Sequence, residues 1–464
     1  MFSDQQMQEL NTMIDQISST YKVAGLALAV VDKQGIVWQK LYGYRNVAEQ
    51  KELNADTILG LASLTKSFTA LATLILADRG IIDLQQSVST YLPEFQYPGQ
   101  GVVTVAHLLS HSAGYAPLPR ILATDLMEQG FLPDDEPQDP ALSPSFAAEG
   151  GRRVIERLNA PPFAMLGRPG EYMSYFNDGF ATLSELVRRH GGYPTYAEFV
   201  QNEILIPLGM NRSRYDALSL TDEDNRTTLY YPQLGELKNT EDWHLNGFAL
   251  MGGGSLKSTL NDMAQYVRMY LNKGRINDEK RLISSFMIGE MQKPRIRYSH
   301  LRYYGYGLYT GSLDDICVVG HGGSLPGVAT DMMWSHDLGL GVLALCNTSE
   351  VPVAKLSQAM MKCLNGHSAE EARISFQDKP WDDATIEAAC GEYVSGEGGR
   401  FIIRKNAAGQ LELLTGGMEL QLRPVLPDLA LAQVKLNTVE YRLYRHENGD
   451  VWALGAGGRM VLKV

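Results

Sequence analysis

Ser63 and Lys66 stand three residues apart in the stretch Ile58–Gly80, ILGLASLTKSFTALATLILADRG. From Leu64 onward the spacing of Phe68, Leu71, Ala72, Ile75 and Leu76 predicts a helix, with Gly80 as its stop. Side chains three apart share a helix face, so a hydroxyl and an amine meet there. At the first turn the hydroxyl also lies beside unpaired backbone N–H groups and the positive end of the helix dipole. A hydroxyl, a base in reach and an oxyanion site are what acyl transfer needs. The bland alternative is a helix cap and a solvated charge. The same spacing recurs at Ser19–Lys22, on a polar helix-to-strand connection. Lys66 instead enters an almost wholly apolar helix, where a cation is costly and the amine shifts toward a neutral base. Context therefore selects Ser63 and Lys66.

Two further groups carry chemistry. Tyr175-Phe176-Asn177 follows a Gly/Pro turn and precedes an apolar-periodic helix from Phe180 to Val187, which places a phenol and an amide in a cleft. The similar Tyr270-Leu271-Asn272 reads as a helix end. His321-Gly322-Gly323 closes a strand, and glycines at a strand edge leave backbone along which a substrate can lie. By contrast, the glycines of His190-Gly191-Gly192 read as a helix C-cap. His111 is expected to lie on a short helix ending at Gly114 and reads as a structural histidine. Gly252-Gly253-Gly254 implies close backbone approach, and without the G-x-x-x-x-G-K-[ST] spacing it is no phosphate loop.

The elements that must position these residues follow from pattern. Ser3 to about Thr20 is an amphipathic helix with a Ser3/Gln6 capping box. Val23–Val31 and Ile36–Gly43 form a hairpin around Asp32–Gly35. Ala116–Pro162, rich in Pro, Asp, Glu and Ser, is expected to be an insertion or lid with one helix near Gly150–Asn159. Ile316–Thr348 holds three strands and Val351–Leu364 a closing helix. Residues 366–384 read as a linker. After Ile386, about eight short alternating segments separated by Gly, Asn, Asp or Pro predict a small all-β barrel or sandwich.

The chain has 464 residues, 44% hydrophobic, with a net charge of -12. That length supports two or three domains. No basic patch is present, which excludes nucleic acid and anionic membrane surfaces as partners. Cys317, Cys346, Cys363 and Cys390 are spread without metal-ligand or disulfide spacing. The polar start MFSDQQMQEL has no leader pattern and no stretch reaches membrane-spanning length, so a soluble, cytoplasmic protein is expected. Neither a metal nor a cofactor is called for.

In order along the chain, Ser63-Leu64-Thr65-Lys66, Tyr175-Phe176-Asn177 and His321-Gly322-Gly323 resemble the three signature boxes of the penicillin-recognising serine hydrolases. That superfamily includes class C β-lactamases and D-aminopeptidase-like peptidases. The segments VTVAHLLSHSAGY, GRPGEYMSYFNDGF, MGGGSLKSTLNDMAQYV and GHGGSLPG match its connecting regions, so the resemblance spans roughly Gln8 to Leu364. It implies an α/β (α+β) fold: an antiparallel sheet flanked by helices, beside a mostly helical region at about 67–300. Residues 1–365 would form this hydrolase domain and 385–464 a lipocalin-like barrel. The resemblance makes Ser63 the nucleophile, Lys66 its base and Tyr175 the proton relay. Asn177 would bind the substrate amide, and the N–H groups of Ser63 and Ser324, after Gly323, would form the oxyanion hole. His321 departs from the Lys-Thr-Gly found in many members. Histidine is mostly neutral at neutral pH, which weakens carboxylate anchoring. The expected activity is hydrolysis of small peptides or aminoacyl amides of the D-aminopeptidase-like kind. Its rivals are a carboxylesterase or weak β-lactamase on the same site, or a non-catalytic penicillin-binding sensor. The resemblance further implies a homo-oligomer built through the barrel.

Overall fold

Ser3 opens the first helix, α1 (Asp4–Tyr21), with the expected reciprocal cap: its hydroxyl accepts from Gln6 N at 3.2 Å while Gln6 Oε1 accepts from Ser3 N at 2.9 Å. Strand β1 (Gly25–Val31) turns at Asp32, whose carboxylate accepts from Gln34 N and Gly35 N, into β2 (Ile36–Asn46). The computed structural model describes residues 2–119, 136, 137, 139, 141–233, 235–240, 251–371 and 375–464. Much of the expected insertion, part of the expected linker and residues 247–250 of the glycine-rich segment lie outside these.

Strand β3 (Lys51–Glu52) extends the hairpin. Strand β4 (Leu59–Gly60) pairs with the distant β7 (Lys257–Ser258), and β5 (Leu229–Gln233) with β6 (Glu236–Thr240). The remaining strands of the main sheet are β8 (Ile296–Arg297), β9 (Arg302–Tyr304), β10 (Tyr309–Leu313), β11 (Ile316–Leu325), β12 (Val328–Ser335) and β13 (Leu340–Cys346). They give the antiparallel order β3-β2-β1-β13-β12-β11-β10-β9-β8. The N-terminal hairpin thus joins the late strands directly, β1 against β13.

Both faces of this sheet are covered, so β1, GLALAVV, is buried at every position. Leu26, Leu28 and Val30 pack with α1 and the helix Val353–Leu364. Ala27, Ala29 and Val31 face the helical region, led by α2 (Thr65–Asp78) and the helix Leu260–Leu271. Phe68 stacks on Tyr266 between those two helices, ring centroids 3.8 Å apart.

The C-terminal strands are β14 (Gly391–Val394), β15 (Arg400–Lys405), β16 (Leu411–Thr415), β17 (Met418–Gln421), β18 (Arg423–Leu426), β19 (Leu429–Val434), β20 (Asn437–Arg445), β21 (Val451–Ala456) and β22 (Arg459–Lys463). Their order, β17-β16-β15-β14-β22-β21-β20-β19-β18, makes a nearly closed antiparallel barrel around Tyr393, Leu413, Leu443 and Leu454. Trp381, within the stretch expected to be linker, is buried in that core and donates to Leu426 O at 2.7 Å. Among the described residues no helix is long and apolar enough to cross a membrane, and the four cysteines are unpaired.

Candidate active site

The first elements to meet are those that hold Ser63. Ala62–Leu64 forms a single 3₁₀ turn before α2, so the helix begins one residue later than its apolar spacing suggests. Ala62 sits at φ 48°, a left-handed conformation costly for a residue with a side chain. Surrounding contacts hold the turn in place. Leu61 N donates to Leu256 O at 2.9 Å and Thr65 Oγ1 accepts from Leu256 N at 3.1 Å. Thr330 Oγ1 donates to Leu61 O at 2.8 Å. Within this buried stretch Ser63 remains half-exposed.

Lys66 is fully buried. Its Nζ lies 2.7 Å from Gly253 O, 2.9 Å from Asn177 Oδ1 and 3.3 Å from Ser63 Oγ. Burial drives its pKa well below that of a free lysine, Arg459 adds to the fall, and Glu397 opposes it. A neutral amine has two N–H bonds and one lone pair. The carbonyl oxygens of Gly253 and Asn177 take the two donors, which leaves the lone pair for the hydroxyl of Ser63. The glycine run makes this approach possible, because a Cβ on Gly252 would lie 2.4 Å from Phe180 O.

Tyr175 is brought in on the segment before the helix Asn177–His190, which begins earlier than its apolar pattern indicates. Its ring centroid lies 4.7 Å from Lys66 Nζ. Burial pushes the phenol's pKa up, opposed first by the Ser63 hydroxyl and then by Arg459. His321 lies in the interior of β11, with β12 on one side. On its other side β10 stops pairing at Gly320, so among the described residues His321–Leu325 has no strand neighbour there. The Ser63 turn fills part of that edge. A Cβ on Gly323 would sit 2.4 Å from Leu61 O and 3.0 Å from Ser63 N, which places Ser324 just beyond the nucleophile candidate. His321 Nε2 shares a hydrogen bond of 2.8 Å with Tyr304 Oη. Burial, reinforced by the Lys66 charge, holds its pKa down to about 3. Burial thus favours the neutral imidazole.

Three residues of this cluster, Tyr304, Glu397 and Arg459, escape sequence reasoning, and His111, read there as structural, packs among them. His111 is at φ 55°, past a helix that ends at Leu109, and its ring lies 4.1 Å from that of Tyr175. Its Nδ1 accepts from Phe176 N at 3.3 Å. Tyr304 comes from β9. The other two come from the barrel: Glu397, on the β14–β15 turn, accepts from Asn177 Nδ2 at 3.0 Å and pairs with Arg459 at 2.5 Å. The Arg459 guanidinium stands 4.9 Å from the Tyr175 centroid. Glu397 lies between two glycines and Arg459 opens β22 after Gly457-Gly458, but Gly-Gly-Arg also occurs at Gly150–Arg152 and Gly398–Arg400, so the pattern does not single them out. Gly458 O accepts from Tyr175 N at 2.9 Å. A cavity of about 660 Å³ reaches Arg459, Gly458 and Met173 between barrel and sheet edge.

The decoy motifs lie elsewhere. Ser19 Oγ donates to Gln16 O, and Lys22 donates to Gly235 O. Tyr270 is buried within a helix, and His190 Nε2 pairs with Tyr91 O. Among the described residues no group of three His, Cys, Asp or Glu could hold a metal ion.

Comparison with known proteins agrees with this arrangement. Penicillin-binding protein 4* of Bacillus subtilis (strain 168) is 25% identical over 434 residues, covering 89% of each chain. Protein flp of Staphylococcus aureus (strain MRSA252) is 22% identical over 82% of this chain and 70% of its own. The octameric penicillin-binding protein homologue from Pyrococcus abyssi superposes with a TM-score of 0.67 at 24% identity, over 98% of this chain and 100% of that one. SurE superposes with a TM-score of 0.72 at 20% identity, over 98% and 99%. These structural likenesses extend through the barrel. The Beta-lactamase family model matches residues 10–361, which takes in the Ser63 turn, Tyr175 and His321, and the chain belongs to that family of serine hydrolases.

Proposed function

We propose that this chain is a serine peptidase or amidase acting through an acyl-enzyme, of the D-aminopeptidase-like kind. Ser63 Oγ attacks the substrate carbonyl carbon and its proton passes to Lys66 Nζ. The resulting oxyanion is held by the N–H groups of Ser63 and Ser324, and Asn177 binds the substrate amide. The proton taken up by Lys66 is relayed through Tyr175 to the leaving amine as the C–N bond breaks, which leaves Lys66 neutral and Tyr175 protonated for the next step. Water then attacks the acyl-Ser63 ester along the same route, and the acid is released. The observation that carries this reading is the disposition of Lys66: two N–H bonds occupied by carbonyl oxygens and a lone pair left for Ser63 Oγ at 3.3 Å.

Glu397 supports the aminopeptidase assignment as a carboxylate beside Asn177 that a protonated amino terminus would share with Arg459. A structural neighbour is described as SurE with D-Leu, which supports substrates bearing D-residues. The octameric state of the Pyrococcus homologue supports assembly into a closed oligomer. A second reading follows from Arg459, a cation beside Tyr175 suited to a substrate carboxylate, as in β-lactams.

Labelling with a fluorophosphonate, followed by peptide mass spectrometry, tests the class: modification is expected at Ser63, and an unmodified Ser63 refutes an acyl-enzyme there. Values of kcat/KM on matched D-aminoacyl anilides, short-chain esters and a penicillin-type reporter then separate the substrates. An amide rate at background would favour the esterase.

A further inference from the structure

We propose that the barrel completes the reacting centre. Glu397 fixes the orientation of Asn177 toward Lys66, and Arg459 supplies, at the same Tyr175 ring that Lys66 faces, the fixed positive charge that His321 does not. This rests on the reading of Ser63 and Lys66 as nucleophile and base.

Three observations support it. The first is a chain of hydrogen bonds from one domain to the other: Glu397 Oε1 accepts from Asn177 Nδ2 at 3.0 Å, and Asn177 Oδ1 accepts from Lys66 Nζ at 2.9 Å. An asparagine amide can turn over and present its nitrogen instead. A carboxylate accepts only, so Glu397 admits just the orientation that offers the oxygen to Lys66. The second is the position of Arg459, partly exposed but set over the ring of Tyr175 and held there by the other oxygen of the same carboxylate. The third is the backbone around it. Gly458 O accepts from Tyr175 N, and Ser174 Oγ accepts from Met460 N at 3.2 Å, so the turn is bonded to the segment that carries Tyr175.

The groups bearing on Lys66 come from every element around it. Among the described residues, beside the carbonyl oxygens of Asn177 and Gly253, they are Ser63, His111, Tyr175, His321, Glu397 and Arg459. His111 and His321 are both held neutral by burial. That leaves Arg459 and Glu397 as the charges that set the balance, the first favouring the amine and the second the ammonium. The sign follows directly. Removing the arginine charge stabilises the ammonium and moves the onset of reactivity to higher pH; removing the glutamate charge moves it lower.

The test is the rate of Ser63 labelling by a neutral fluorophosphonate as a function of pH. The reagent carries neither the ammonium nor the carboxylate that Glu397 or Arg459 would recognise in a substrate. Arg459→Gln is expected to raise the acid limb by about one pH unit, a tenfold slower reaction on the limb, and Arg459→Lys to restore it. Glu397→Gln, which keeps an acceptor for Asn177, is expected to lower the limb. The double variant should return toward wild type. Limbs unmoved in both single variants, even with slower labelling, would overturn the proposal and leave the barrel as a cover. Should Arg459→Gln fail to fold, Glu397→Gln reads the same limb with the opposite sign. A wild-type Ser63 that never labels would instead overturn the nucleophile reading beneath it.

Discussion

A lone pair directed at a hydroxyl requires that both members of the pair be present. Ser63→Ala and Lys66→Ala are each expected to remove nearly all kcat on the best substrate, with the circular-dichroism spectrum unchanged. The double variant should be scarcely worse than either, because the two act as a unit; additive losses would mean that Lys66 is not the base. Ser19→Ala and Lys22→Ala should leave kcat/KM near wild type. The acid limb of kcat/KM is expected to report Lys66 losing its proton as pH rises. His321, held down to about 3, contributes no step to it. His321→Gln, which can still bond to Tyr304, should lower the rate without moving the limb, whereas a moved limb would return the titration to His321. At this scale the sequence is informative where chemistry imposes spacing. Ser63 and Lys66 are three apart because a helix turn joins them. Glu397 and Arg459 carry no such mark: their distance from Ser63 along the chain is set by the path of a barrel.

Elements differ in how openly their sequence declares them. The capping box at Ser3, the hairpin at Asp32 and the late strands are legible because local patterns fix them. Strands β8 to β10 are short and rich in Arg and Tyr, RIRYSHLRYYGYGLYT, and lack the alternation that announces a strand. The helix expected to run to Gly114 ends at Leu109, because His111 takes a left-handed backbone that aims its ring at Tyr175. The strand–turn contact at Gly323 gives a prediction at this level. Gly323→Ala puts a Cβ against Leu61 O, so either β11 or the Ser63 turn must shift. Misplacing an oxyanion donor costs about 10²- to 10³-fold in kcat. A loss of that order, with KM changed much less, is the expected result; full activity would mean that the oxyanion site lies elsewhere.

The two domains meet through apolar contacts as well as through the site. Met460 and Ala453 of the barrel pack with Ala116 and Leu166, flanked by Phe163, Tyr172 and Trp452. Met460→Ala is expected to cost about 2–5 kcal/mol, the usual range for emptying a buried methionine site. Calorimetry should show a lower melting midpoint, and a midpoint equal to wild type would mean that this seam contributes nothing to stability. The existence of an all-β second domain is legible from its short alternating segments. Its contact with the first is not, because interface residues look like ordinary core on both sides.

The order of synthesis gives the barrel turns a meaning in time. Ser63 and Lys66 emerge from a ribosome several hundred residues before Arg459 does. A nascent chain halted between them, or one clipped by a protease in the linker, carries the hydroxyl and the amine without the two charges that set their balance. On the role proposed for Glu397, such a copy lacks the carboxylate that holds Asn177 toward Lys66 until the barrel has folded against the site.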